Sequence, residues 1–555
     1  MGQMSGGAIV AQALKNEGVD TIFNLPGDPM GTIYPACRQQ EMQIYTFRHE
    51  QATAMAAQAW SYTTRRIGVA VVASGPAMTN AVTALDTAWA NCWPMLLIGG
   101  NGELRRRGRG DFQETPQVAA AAPFCKLSTS VDDPRRIPYA INAAVRTALS
   151  GRPGPVYLDL PSDVITASVE TDELTFLPPV PPPARPAGEP PLIRKAMEEI
   201  DRAERPLFLF GKGVAWADGA TEARQLVDRL HVPFIPSPMG KGVIADDHPL
   251  NMAGARSYAL RNADLVVLVG ARFNWIFHFG EPPRFAPEVK VVQVDIAPEE
   301  IGNGVPATVG IIGDAKVVLQ QLVDEAGTGS RRRLESPWLD ALQAERQKND
   351  DAIREMVHSD ATPMNMYRMY REIREVLDPD ATVAIDGENT MAVSRVMLPN
   401  FLPGHRLDAG TSGCMGVAVP YALGAQIARP DQQVLSLNGD FAFGWNGMEI
   451  ETALRHNLPV VFLIANNGSI GGGRQRLLTG EAATDGDSPV VRYDRMMEAF
   501  GGYAEYVEQP DELQPALLRA FASGRAALLN VIVDPSARRK EQTFDWLARR
   551  GRMQY

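Results

Sequence analysis

The sequence predicts an α/β protein made of three doubly wound parallel-sheet domains and a short C-terminal tail. Three observations carry the prediction. At 555 residues, 45% of them apolar, the chain is too long for one core and rich enough in apolar side chains to fill two or three. Apolar runs of strand length alternate with amphipathic segments, the pattern of a parallel sheet covered on both faces. That alternation is interrupted at two compositional breaks, PPVPPPARPAGEPP from Pro178 to Pro191 and AGTGSRRRLESP from Ala326 to Pro337, whose Pro, Gly and Ser content suits linkers.

Taken in order, the expected domains are residues 1–177, 192–325 and 338–537, with the tail at 538–555. The first holds the runs IGVAVVASG, WPMLLIGG and GPVYLDLP, with EQATAMAAQAW as a helical segment between them. RPLFLFGKG, ADLVVLVGAR and VKVVQVDI repeat the pattern in the second, and ATVAIDGEN, QQVLSLNGD and LPVVFLIANN in the third.

A formal net charge of -11 argues against a nucleic-acid or anionic-membrane partner, so any anion site has to be built locally. No run reaches the roughly 18–20 apolar residues of a membrane span, and the start MGQMSGGAIVAQAL lacks the pattern of a secretory signal; a cytoplasmic protein is expected. The four cysteines and seven histidines show no paired or HExxH spacing, so neither a disulfide framework nor a zinc site is expected.

Ligands of doubly wound sheets bind beyond the carboxyl ends of the strands, which directs attention to SGPAMTN, GDF and NNGS. Any one of these alone reads as a tight βα turn. Together they offer more: Asp440 follows the strand QVLSLNG and opens the helical segment WNGMEIETALRHN, and Asn467 follows the next strand PVVFLIAN 27 positions later. One carboxylate, one amide oxygen and a backbone carbonyl satisfy a hard divalent cation such as magnesium, which keeps phosphate oxygens in its shell. Helix N-termini and glycine amides alongside suit a diphosphate.

This spacing resembles the thiamine diphosphate-binding motif, although the motif commonly reads GDG and this chain has Phe441 in the third place. The resemblance implies Asp440, Asn467 and the Ser469 carbonyl as Mg2+ ligands. It also implies Glu50, in TFRHEQATAMAAQAW, as the acid that hydrogen-bonds the cofactor's pyrimidine ring and promotes its activation; taken alone, Glu50 reads as an acid favoured by a helix dipole. From TSGCMGVAVP it implies Gly413 and Met415 as cofactor contacts, Met415 being equally readable as core. Pro76, Asn80, Asn389, Thr390, Gly439, Phe441, Ala442 and Ile470 complete the implied cofactor set. In such enzymes the first domain of one subunit faces the third domain of another, so a homodimer or homotetramer with shared active sites is implied.

Within that superfamily the chain is most similar to the 2-hydroxyacyl-CoA lyase and oxalyl-CoA decarboxylase branch. The stretches that carry this are FNWIFHFGEPPRF, DGENTM, HRLDAGTSGCMGV, GDFAFGWNGMEIETALRHNLP and RYDRMMEAFGG. The loop DFQETPQ, Asp111 to Gln117, looks like the lyase form, the decarboxylase form having tyrosine then glutamate at Phe112 and Gln113. A neutral Gln113 can orient a hydroxyl or thioester oxygen without adding charge, and Glu114 is a second acid-base candidate. The implied reaction is cleavage of a 2-hydroxyacyl-CoA to an aldehyde or ketone plus formyl-CoA, reversible as an acyloin condensation. Small pocket candidates such as Ala392 and Cys414 leave an aldehyde, formaldehyde or a ketone open as the product, a short branched substrate such as 2-hydroxyisobutyryl-CoA giving acetone being one example. Gly27, Phe112, Gln113, Arg549 and Arg550 are the expected substrate contacts.

The tail, with six basic residues against two acids, is read as a CoA phosphate site and lid. Lys212, Asp295 and Asp314 are read as an ADP-like nucleotide site in the second domain, an acid at a strand end being suited to ribose hydroxyls. Oxalyl-CoA decarboxylase is the alternative function. An acetolactate-synthase-like enzyme, a 2-oxoacid decarboxylase and a nonenzymatic scaffold on the same fold stand further off.

Overall fold

A computed structural model describes residues 2–327, 336–468 and 491–535. The first six-stranded sheet runs Gln43–Thr46, Thr21–Asn24, Gly68–Val72, Met95–Asn101, Pro155–Pro161 and Leu127–Ser130, all neighbours parallel. Its three central strands are buried along their whole length. A strand covered by helices on both faces has no solvent side to mark with polar residues, hence continuous apolar runs rather than alternation.

A five-stranded parallel sheet follows in the order Phe234–Pro236, Pro206–Phe210, Leu265–Val269, Lys290–Asp295, Val309–Ile312. The third sheet has six parallel strands, Arg406–Leu407, Thr382–Asp386, Val434–Gly439, Val461–Asn466, Ala527–Ile532 and Tyr503–Val507. Numbered along the chain, the strands of the first and third sheets lie in the same spatial order, 2-1-3-4-6-5, and those of the second in the order 2-1-3-4-5. Each order reverses direction between its strands 1 and 3, where a crevice opens outside the strand ends. A two-stranded antiparallel ribbon, Gln3–Ser5 with Ser168–Glu170, ties the start of the first domain to its end.

The outer domains pack through helices Glu50–Thr64 and Ala418–Ala428, whose side chains share one buried cluster. From Ala52 to Tyr62 every residue of the first helix is buried. Its run of alanines lets neighbouring backbones close on it from several sides, at the best helix propensity of any residue. The expected single helix WNGMEIETALRHN is instead two short ones, Asp440–Asn446 and Glu449–Arg455, broken at Gly447 and Met448.

Candidate active site

Glu50 is the first residue of its helix and half-buried. Its Oε2 accepts a hydrogen bond from Asn80 Nδ2 at 3.0 Å. Asn80 is carried by helix Pro76–Asn91, which leaves the end of strand Gly68–Val72 through Gly75. Gly75 has φ +59°, and a Cβ there would lie 2.3 Å from the Gln113 carbonyl oxygen, so only glycine fits this close approach. Pro76 occupies the first helical turn, where its missing N–H costs nothing. Gly27 lies on the neighbouring strand exit, beside Ala73. The structure therefore brings Glu50, Asn80, Pro76, Gly27 and Gln113 to the carboxyl edge of one sheet.

Gln113 has a left-handed φ of +55°, and its Oε1 accepts the Ser74 hydroxyl at 2.8 Å. Glu114, next to it, turns its carboxylate on its own loop. It accepts the N–H groups of Gly108, of Gly110 at 2.8 Å and of Asp111 at 3.1 Å, and these backbone bonds hold its pKa below the usual carboxylate range. Phe112 is 68% exposed. Behind the loop, Gln117 Oε1 accepts the Gly75 N–H while its Nε2 donates to Asp159 Oδ1 at 2.7 Å. The fully buried Asp159 also accepts from Asn101, Ser130 and Arg107, so each of its lone pairs is satisfied as burial demands.

At the third sheet, strands Val434–Gly439 and Val461–Asn466 are paired with Gly439 opposite Ala465, which sets Asp440 and Asn467 side by side just beyond the strand ends. Asp440, 4% exposed, accepts the Gly468 N–H at 2.9 Å. Phe441 and Ala442 continue its helix, Ala442 buried. Across the crevice, Gly387 has φ +92°, and a Cβ there would meet Thr390 Oγ1 at 2.6 Å and the Gly439 backbone N at 3.1 Å. Only glycine allows the two strand exits to approach this closely beside Asp440. Asn389 and Thr390 open the helix on its far side, Thr390 fixed by its hydroxyl to the Asp386 carbonyl at 2.6 Å.

Buried Asp386 accepts the Val417 N–H at 2.7 Å and anchors the loop bearing Gly413 and Met415. Burial pushes its carboxyl up to about 6 against the pull of the surrounding amides. Gly413 is exposed and Met415 is 37% exposed, so this methionine is not a core residue. Among the described residues no three His, Cys, Asp or Glu side chains are placed to hold a metal. One buried carboxylate and a neighbouring amide just beyond two adjacent strand ends, beside glycine backbone, do fit a hard cation carried by a diphosphate. Ser469 and Ile470, and Arg549 and Arg550 with the whole tail, lie outside the described residues.

Lys212, Asp295 and Asp314 line a different feature, a cavity of about 480 Å³ at the crevice of the central sheet. Lys212 donates to Asn91 Oδ1 at 2.7 Å, and burial lowers its pKa to about 7. Burial raises the Asp295 carboxyl to about 6, while Asp314 caps helix Ala315–Ala326 by accepting the Lys316 and Val317 N–H groups. Arg152, Trp216 and Arg272 share the lining; Arg272 and Trp216 follow the strand exits after Val269 and Phe210, while Arg152 is far from any such exit and carries no signal in the sequence.

A second group absent from the sequence reading joins two domains. Burial, together with the like charges of Arg284 and Arg395, lowers Arg256 to a pKa of about 9. Arg256 lies over the Phe277 ring at 4.6 Å and donates to the Ile276 carbonyl at 2.7 Å.

The fold and these sheet-edge sites define a three-domain enzyme of the thiamine pyrophosphate class, and the family comparisons agree. The thiamine pyrophosphate enzyme N-terminal TPP binding domain matches residues 4–121, the central domain 193–322 and the C-terminal TPP binding domain 386–531. A Homo sapiens protein named 2-hydroxyacyl-CoA lyase 1 is 39% identical, over 99% of this chain and 97% of its own. An Arabidopsis thaliana protein named 2-hydroxyacyl-CoA lyase and an Escherichia coli (strain K12) protein named oxalyl-CoA decarboxylase are each 36% identical, over 96% of both chains. The chain belongs to the thiamine pyrophosphate-dependent enzymes, in the branch that holds the 2-hydroxyacyl-CoA lyases and oxalyl-CoA decarboxylases.

Proposed function

We propose that this protein is a thiamine diphosphate- and Mg2+-dependent carbon-carbon lyase that cleaves a 2-hydroxyacyl-CoA to an aldehyde or ketone and formyl-CoA. The observation that carries this reading is the side chain offered by the loop at the first sheet's edge. It is the neutral amide of Gln113, fixed by Ser74, while the carboxylate beside it is consumed by three backbone amides. An amide orients a hydroxyl or thioester oxygen and supplies no charge, which suits departure of a neutral carbonyl better than retention of a carboxylate. Glu114 is accordingly a clamp on the loop, and Gln113 the group that meets substrate with Phe112 and Gly27.

When bound, the cofactor supplies the nucleophilic carbon and the electron sink for breaking the C1-C2 bond. Asp440 and Asn467, with the Ser469 carbonyl, would hold the metal and through it the diphosphate. Glu50, oriented by Asn80, would hold a proton at the pyrimidine ring nitrogen. Gly413 and Met415 would contact the ring system. Exposed apolar side chains in these segments, Met415 and Trp445 at 62%, support a second subunit that covers them and excludes water.

The crowded Arg256, Arg284 and Arg395 are suited to CoA phosphates, because a polyanion relieves their mutual repulsion. The central cavity suits an adenine nucleotide, with Asp295 toward ribose hydroxyls and Lys212 toward phosphate. Calorimetric titration tests both assignments: Lys212→Met is expected to abolish ADP binding and Arg256→Met to weaken CoA binding. Lack of ADP binding to the unsubstituted protein, or an unchanged CoA affinity in the second variant, would remove the respective assignment.

The reaction itself is tested by incubating the loaded enzyme with a series of 2-hydroxyacyl-CoA thioesters, 2-hydroxyisobutyryl-CoA among them, and with oxalyl-CoA. Formyl-CoA with an aldehyde or ketone is the expected product. Carbon dioxide from oxalyl-CoA as the dominant turnover would replace the reading by the decarboxylase alternative.

A further inference from the structure

The carboxyl group of Glu449 has no part in the chemistry above, yet it is 1% exposed and is aimed across a domain boundary. It belongs to the third domain, as first residue of helix Glu449–Arg455. Its Oε1 accepts the backbone N–H groups of Arg48 and of His49, each at 3.0 Å. Its Oε2 accepts the Thr452 hydroxyl at 2.5 Å. Those two amides immediately precede Glu50.

His49 is the N-cap of helix Glu50–Thr64 and itself bonds the Gln51 N–H. In a capping box the cap's own N–H is satisfied by a Glu or Gln at the third helical position, reaching back. Here that position is Ala52, which has nothing to offer. The missing carboxylate comes instead from Glu449, about four hundred residues away in sequence.

The rest of the same short helix holds the adjoining backbone. Arg455 donates to the Thr46 carbonyl at 2.7 Å, His456 Nε2 accepts the Thr46 N–H at 3.0 Å, and Glu451 pairs with Arg48 at 2.8 Å. The Tyr45 ring lies against His456 at 5.2 Å. The Arg48 pair is solvent-exposed and worth little. Glu449 is different: its carboxyl is buried, and its removal would leave two part-buried amides without their acceptor, at a desolvation cost.

We infer that Glu449 is a positioning residue that fixes, from the third domain, the start of the helix that presents Glu50. The inference rests on the proposed role of Glu50. It explains why an acid is placed where burial raises its pKa to about 7: a carboxylate there accepts both amides on one oxygen and the Thr452 hydroxyl on the other, whereas glutamine can accept only through its single oxygen.

The test uses the full chain loaded with thiamine diphosphate and Mg2+. Glu449→Ala is expected to lower kcat by at least about tenfold, part of the roughly 10²- to 10⁴-fold that a positioned proton-transfer group supplies, with KM for the CoA thioester nearly unchanged. The exchange rate of the cofactor's C2 proton should fall by the same factor. In the cofactor-free protein, amide hydrogen exchange should accelerate over residues 46–52 and not elsewhere. Glu449→Gln, whose carbonyl can keep both amides while its NH2 meets Thr452, is expected to recover most of kcat.

Unchanged C2 exchange and unchanged amide protection in Glu449→Ala would overturn the inference, as would equal loss in the Ala and Gln variants. If the alanine variant fails to fold, Glu449→Asp, one methylene short, replaces it with the same readouts. Glu50→Gln is run alongside: full turnover in that variant would defeat the reading of Glu50 itself, whereas the amide-exchange result judges the clamp alone.

Discussion

The first sheet turns its crevice toward solvent with Gly27, Ser74 and Gly75 at the strand exits, and the third does so with Asp386, Gly387 and Asp440. Both sheets have the same strand order and reverse it at the same place. At the first crevice the fixed groups are neutral: Ser74 holds Gln113, and Gln117 takes the Gly75 amide. At the third, two buried carboxylates stand within one turn of the strand ends. A shared architecture thus supplies two equivalent crevices, and under the proposed function the residue that follows each strand decides whether one anchors a cation or faces the cofactor ring and substrate. The acid of the first domain, Glu50, follows the edge strand Gln43–Thr46 and meets the crevice through its hydrogen bond from Asn80.

Substitution at the two crevices gives the largest expected contrast. Asp440→Ala should lose cofactor and Mg2+ binding in a direct titration, whereas Glu50→Gln should bind both and lose about 10²- to 10⁴-fold in kcat, the range for a general acid-base group. The opposite pattern, with Glu50→Gln unable to bind and Asp440→Ala slow but loaded, would dissolve the distinction between an anchoring and an activating crevice.

Stability should show no such asymmetry. Leu97 and Leu463 occupy the fourth strand of their respective sheets and are wholly buried. Each Leu→Ala change should cost about 2–5 kcal/mol, measured by denaturant unfolding. A much smaller loss in one of them would show that the two sheets, though alike in order, are unequally packed.

The smallest effect concerns the contact that joins the two domains. Burial raises the Glu449 carboxyl from 4.5 to about 7, so the folded state holds this proton more tightly than the unfolded chain. The resulting stability is complete below about pH 4.5 and is lost as pH rises through about 7. Glu449→Gln cannot titrate. Its unfolding free energy should therefore gain on the unsubstituted protein by on the order of 1–3 kcal/mol between pH 5 and 8. A pH-independent difference would mean that the carboxyl titrates alike in both states.

Nine central strands were legible as apolar runs because burial on both faces writes itself as uninterrupted hydrophobicity. Two further interior strands, Thr21–Asn24 and Ala527–Ile532, are also wholly buried yet were missed, as were the edge strands. Leu127–Ser130 and Tyr503–Val507 are largely half-buried, and a short mixed run carries no period to read. The strand-exit motifs were equally readable, since Asp440 and Asn467 must follow two adjacent strands for their side chains to meet. The helix after Asp440 was read too long, because Gly447 within an otherwise helical pattern does not by itself announce a break.

The sequence by itself determined the three-layer units, the places where ligands can bind, and the kinds of oxygen and amide donors at those places. All of these depend on local pattern: the order of strand, turn and helix along a few dozen residues. Tertiary structure alone decided which donors are free to act. Glu114 is adjacent to Gln113 yet spends its carboxylate on Gly108, Gly110 and Asp111, and Glu449 reads as an ordinary acid at a helix start until the fold sets it against Arg48 and His49. A hydrogen bond is fixed by distance and direction in space, and neither can be read from separation along the chain.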